Sequence, residues 1–90
     1  MTSDDFAVQL KWMAEPKDTE IGAGKPVHIA CLAEGSPEPT IQWSKDGIPV
    51  GSELRFVSVS QQDAGLYECR ARNGADEDLV ARIRLSVLGK

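Results

Sequence analysis

The chain is poor in the residues that carry chemistry. Its 90 residues include one histidine, two cysteines and one tyrosine, and no run approaches the ~18 apolar residues of a membrane span. The opening MTSDD is acidic and polar, with no apolar signal segment. No window supports a helix longer than one turn. No nucleophile motif, phosphate-binding loop or metal-ligand spacing occurs. His28 falls at an outward strand position, which suits a surface residue better than a general base. Cys31 and Cys69 lack the paired spacing of a zinc site or a redox motif. The single asparagine, Asn73, is followed by Gly74 and Ala75, so there is no N-glycosylation acceptor. An excess of positive charge is missing as well: the net charge is −4, which argues against non-specific nucleic-acid binding. Catalysis, a cofactor, a metal site, specific nucleic-acid binding and membrane insertion are therefore not expected.

What is present is alternation. Ninety residues suffice for one domain and not for two. The expected division is a flexible segment over residues 1–5, one domain over 6–88 and a short end at 89–90, as if a domain had been cut from a larger protein. In residues 6–12, Phe6, Val8, Leu10 and Trp12 alternate with Ala7, Gln9 and Lys11, the period of a half-buried strand. Pro16 interrupts that ladder, and DTEIG can form a second short edge segment. After a turn at Gly22 and Gly24, a strand from about Lys25 to Ala33 sets Val27, Ile29, Cys31 and Ala33 on one side. EGSPEP reads as a loop. TIQWSKDG then points Ile41 and Trp43 one way and turns tightly into IPV. ELRFVSVS points Leu54 and Phe56 inward, with Val59 after a shift of phase. QQDAG leads into LYECRAR, and NGADED links that strand to LVARIRLSVL. In DAGLYEC, Gly65, Tyr67 and Cys69 share one face, so two sulfurs on two inward faces suggest two sheets joined. Short strands broken by Gly and Pro turns indicate an all-β sandwich.

Cys31, then Trp43, then D-x-G-x-Y-x-C at Asp63, Gly65, Tyr67 and Cys69, with G-x-P-x-P-x-I-x-W-x-K-D-G from Gly35 to Gly47, form a recognisable set. The sequence resembles the immunoglobulin fold, and its flavour is similar to the intermediate set, over roughly Ala14 to Leu88. The resemblance implies a two-sheet Greek-key sandwich in which Cys31 and Cys69 join strands B and F. It also implies that Trp43 packs on that bond and that Tyr67 makes the tyrosine corner. Leu54, Phe56 and Val59 match strand E, while Asp63 and Gly65 belong to the turn before strand F. One departure stands out: only 26 positions separate Trp43 from Cys69, and GSE alone stands between IPV and LRF. Strand D is expected to be short or missing, with one sheet reduced to A, B and E.

Several surface groups are candidates for function. Arg70, Arg72, Arg82 and Arg84 fall on the outward face of strands F and G and would stand across from one another in a hairpin. Either Glu68 and solvent offset their repulsion, or the patch meets an acidic protein face or a glycosaminoglycan. Asp76, Glu77 and Asp78 lack the spacing of a calcium loop and read as a solvated loop tip or a partner contact. Trp12 either packs with Leu10 against the core or offers an aromatic anchor to a neighbouring domain. Domains similar to this one occur in cell-surface adhesion molecules and receptors and in giant scaffold proteins of muscle and cytoskeleton. A disulfide favours the first setting and the missing glycosylation acceptor the second. The expected role is a protein-recognition or spacer module.

Overall fold

Nine strands and one 3₁₀ turn are found in the computed structural model, which describes residues 8–89. The expected flexible segment 1–5, and Phe6 of the first expected strand, lie outside the described residues. In order, the strands are β1 (Lys11–Ala14), β2 (Thr19–Gly22), β3 (Val27–Ile29), β4 (Leu32–Glu34), β5 (Thr40–Lys45) and β6 (Ile48–Gly51). They are followed by β7 (Leu54–Phe56), the 3₁₀ turn (Gln61–Asp63), β8 (Gly65–Arg72) and β9 (Leu79–Leu88). One sheet has the order β2-β9-β8-β5-β6. The facing layer comprises the ladders β1-β4 and β3-β7, with β3 and β4 forming the two halves of the Cys31 segment.

Pro16 explains why the first segment changes sheets. It has no N–H to donate, so the ladder of β1 on β4 ends before it, and the chain resumes as β2 in parallel pairing with β9 (Thr19↔Leu85, Ile21↔Val87). The Asp18 carboxylate marks the crossing by accepting the Arg84 backbone N–H at 2.8 Å. At the other edge Asp46 and Gly47, at φ 52° and 81°, make the two-residue turn between β5 and β6, where Lys45 pairs Ile48. Both central residues of such a turn need positive φ, which is why Asp-Gly serves there.

The core lies between the layers. Ile29, Cys31, Trp43, Leu54, Val59, Tyr67, Cys69, Ile83, Leu85 and Val87 form one buried cluster, against which Trp12, Ile41 and Phe56 pack. Cys31 and Cys69 are bonded across it. Trp43, fully buried, sits in register opposite Cys69 on the neighbouring strand. Burying one such large side chain stabilises the fold by about 1.5–3 kcal/mol.

No strand D occurs among the described residues: Ser52 and Glu53 alone join β6 to β7. Three expectations are corrected. Among the described residues the first strand begins at Lys11, and Val8 to Leu10 are outside any strand, with the Leu10 N–H given to the Asp76 carboxylate. The Cys31 strand is interrupted at Ala30 and Cys31. The strand after GSE ends at Phe56, because the chain leaves the sheet to bring Val59, 1% exposed, into the core.

Candidate functional site

The D-x-G-x-Y-x-C residues build the end of the sandwich. The Asp63 carboxylate accepts the Ser60 N–H at 2.8 Å and the Ser60 hydroxyl at 3.2 Å, which fixes the 3₁₀ turn. The Tyr67 hydroxyl donates to the Asp63 carbonyl, which ties that turn to β8. Burial, and then the Asp63 and Asp46 carboxylates, push the Tyr67 phenol above its ordinary pKa. Phe56 meets the Tyr67 ring edge-on at 6.4 Å, and the Lys45 ammonium lies 5.4 Å from its centroid. Gly65 has φ +147°, a value side-chain-bearing residues rarely adopt, and a Cβ there would stand 3.0 Å from Lys45 Cε. Leu54 and Phe56 complete this wall from β7. Leu54, Phe56 and Tyr67 belong to the core or pack against it, and with Asp63 they also line an open groove of about 240 Å³.

The four arginines take a different arrangement from the one the sequence suggested. They share the outward face, but the β8–β9 register sets Glu68 opposite Arg82, Arg70 opposite Val80 and Leu66 opposite Arg84. Opposite charges meet across this hairpin. Arg82 Nε lies 3.2 Å from Glu68, Arg70 contacts Glu68 at 3.3 Å and Asp78 at 3.0 Å, and Arg72 Nε lies 3.3 Å from Asp78. Hydrogen bonding to Asp78 raises the Arg70 pKa above its ordinary value, with Glu68 adding to the effect and desolvation opposing it. Arg84 differs from the other three, since no carboxylate among the described residues lies within 4.0 Å of its side chain. Opposite it Leu66 is 55% exposed and lines an open cleft of about 400 Å³ together with Ser44, Asp46, Tyr67, Glu68 and Arg82. Glu68 offsets the arginine repulsion as the first of the two sequence readings had it, whereas Leu66 and the part played by Asp78 are what sequence reasoning missed on this face. The signal was the hairpin register: with Cys69 opposite Ala81, acid at 68 must meet base at 82, and Leu66 must meet Arg84.

The acidic run is less solvated than expected. Asp76 accepts the Leu10 N–H and an Asn73 side-chain N–H, both at 3.1 Å, and Asp78 is held by arginines. Asn73 also donates to the Pro37 carbonyl at 3.2 Å and accepts the N–H groups of Ala75 and Asp76. Asn73 therefore ties its own loop to the Pro37 loop, and Asp76 carries the tie on to Leu10. His28 is exposed on β3, opposite Arg55. Trp12 packs against the core, while Met13 beside it is 63% exposed.

The geometry defines a class: a two-layer β-sandwich, stapled at Cys31–Cys69, with a polar, charge-paired outer face. Residues 11–73 match the family described as Immunoglobulin domain, and the chain belongs to that family. It is a protein-interaction module. Over 71 residues, 69% of this chain, it is 38% identical to contactin-5 of Mus musculus, but it spans only 6% of that protein's length. Among solved structures it superposes on a chain of the titin M10–obscurin-like 1 immunoglobulin-domain complex with TM-score 0.79 at 25% identity, covering 91% of this chain and 95% of that one. It also superposes on extracellular domains 3–5 of Drosophila OTK with TM-score 0.82 at 26% identity, covering 92% of this chain and 33% of that one.

Proposed function

We propose that residues 6–88 form one non-catalytic recognition or spacer domain of a longer extracellular adhesion molecule or receptor. The contact surface in this reading is the outward face of β5, β8 and β9. The observation that carries it is that Arg84, with no carboxylate within 4.0 Å of its side chain among the described residues, stands across the hairpin from Leu66, an exposed residue of an open cleft. A protein surface offering an apolar side chain next to a carboxylate fits that pair. A uniform polyanion such as a glycosaminoglycan fits less well, because Glu68 and Asp78 lie among the arginines and would repel it. The Cys31–Cys69 bond and the likeness to an extracellular domain support the oxidising compartment. The likeness to the titin–obscurin-like 1 complex supports an alternative, an intracellular sarcomeric or cytoskeletal scaffold.

Two measurements test the reading. Tetramers of the domain are applied to a panel of cell-surface ectodomains and to immobilised heparin, alongside Arg84→Glu and Leu66→Ser. The expected result is a protein ligand whose binding drops about tenfold with either substitution and weakens with salt. Binding that ignores both substitutions, or retention by heparin alone, overturns the assignment of the face. Alkylation of the parent protein in freshly lysed cells tests the compartment, with thiols at 31 and 69 expected to be unreactive. Reactive thiols there would favour the scaffold setting.

A further inference from the structure

Among the described residues no strand D follows β6, and one edge of β7 has no neighbour. β3 pairs one side of it, and on the other side a groove of about 240 Å³ opens, lined by Lys45, Val50, Glu53, Leu54, Arg55 and Phe56. Val50, 46% exposed, lines this groove, and Val57, which follows β7 directly in sequence, is 87% exposed. An unpaired edge is a ready template for another strand. The edge of β6 across the gap is blunted, because Pro49 has no N–H to offer. That leaves β7 as the competent edge at this gap.

We propose that β7 pairs antiparallel with β7 of a second copy of this chain, centred on Leu54, so that the smaller sheets of two molecules become continuous. The charges select both the occupant and the register. With Leu54 facing Leu54, Glu53 stands opposite Arg55 of the second copy, and the two-fold axis repeats the pair. Centring on Glu53 or on Arg55 brings like charges face to face, which is destabilising in a strand pair. Within one molecule Arg55 Nε and Glu53 Oε1 lie 3.5 Å apart, with side chains 57% and 63% exposed, so little is lost when each exchanges its partner for the other copy's. These charges also discourage unrelated strands, which would have to match an acid and a base two residues apart. On the paired side, His28 of β3 stands opposite Arg55. A strand of three residues buries little area, which places the contact in the weak, transient class. Several copies on one surface would add avidity.

Sedimentation velocity of the 90-residue chain tests this from micromolar to millimolar concentration. The expected result is a concentration-dependent dimer that Glu53→Arg and Arg55→Glu each weaken at least about tenfold. The double reversal E53R/R55E should restore association to within about threefold of the parent, since acid again faces base. Amide NMR shifts that move with concentration should be confined to residues 52–57 and their β3 neighbours. A chain monomeric at millimolar concentration, single reversals without effect, a double reversal that rescues nothing, or shifts mapping to β8 and β9 would each overturn the proposal. Both side chains are exposed, so the variants should keep the parent's thermal midpoint. If a reversal unfolds the chain, Glu53→Gln and Arg55→Gln must still weaken association. The surface is separate from the Arg84 face, and either assignment can fail alone.

Discussion

Tyr67 joins the turn, the core and the charge of this domain in one side chain. Its phenol is held protonated by burial and by the nearby carboxylates of Asp63 and Asp46, so its folded pKa lies above the unfolded value of about 10. The folded state then binds the proton more tightly than the unfolded chain. The stability this contributes is fully present below about pH 10 and is lost as pH rises through the higher folded value. Because Tyr67 is the only tyrosine, absorbance near ~295 nm reports it alone. The titration midpoint should lie above ~10 in buffer and fall to about 10 in denaturant; equal midpoints would refute the burial argument. Tyr67→Phe should cost about 1 kcal/mol in urea unfolding, the net worth of the hydrogen bond to the Asp63 carbonyl. Gly65→Ala should cost more, about 1–3 kcal/mol, because φ +147° is strained for alanine even though the Lys45 side chain can move aside. A smaller loss would mean that the turn relaxes to accept the new residue.

At the scale of elements, the β8–β9 hairpin shows what a sequence can and cannot reveal. Period-two alternation placed Tyr67, Cys69, Ile83 and Leu85 inward and the four arginines outward, and the structure agrees. Alternation assigns a face but not a register. Setting Glu68 against Arg82 depends on where the NGADED loop folds, which Asn73 decides through bonds to Ala75 and Asp76. The same gap hid the role of Asp76, whose partner Leu10 is 66 residues away in sequence. The shortness of the segment after Trp43, by contrast, was countable and correctly removed strand D. Glu68 contacts both Arg70 and Arg82, so Glu68→Lys would gather three cations on adjacent strands. Because these groups are partly exposed, the expected cost is about 1 kcal/mol at low ionic strength. Most of it should vanish when salt is raised to ~1 M, where the screening length is ~3 Å. A loss independent of salt would point to packing of the Glu68 stem instead of its charge.

For the whole molecule, the question is whether the two layers hold together by packing alone. A 90-residue domain has a total stability of about 5–13 kcal/mol at ~0.05–0.15 kcal/mol per residue. Trp43 stands at the centre of the core with no hydrogen-bond partner for its Nε1–H among the described residues, so it contributes through contact alone. The Cys31–Cys69 bond spans a sequence separation of 38. Closing a loop of that size removes denatured-state entropy worth about 4 kcal/mol. The paired variant Cys31→Ala/Cys69→Ala should therefore lose a third or more of the stability yet keep its fold, because the remaining core is intact. With a urea slope of about 1–2 kcal/mol per molar, the unfolding midpoint should fall by roughly 2–4 M. Near-ultraviolet circular dichroism of the two tryptophans should remain native-like before the transition. A shift below about 0.5 M would mean that the reduced chain is already compact when denatured, and that packing between the layers carries the fold. Loss of the native signal even without urea would mean the reverse: strands this short, with one edge open at β7, need the crosslink to assemble.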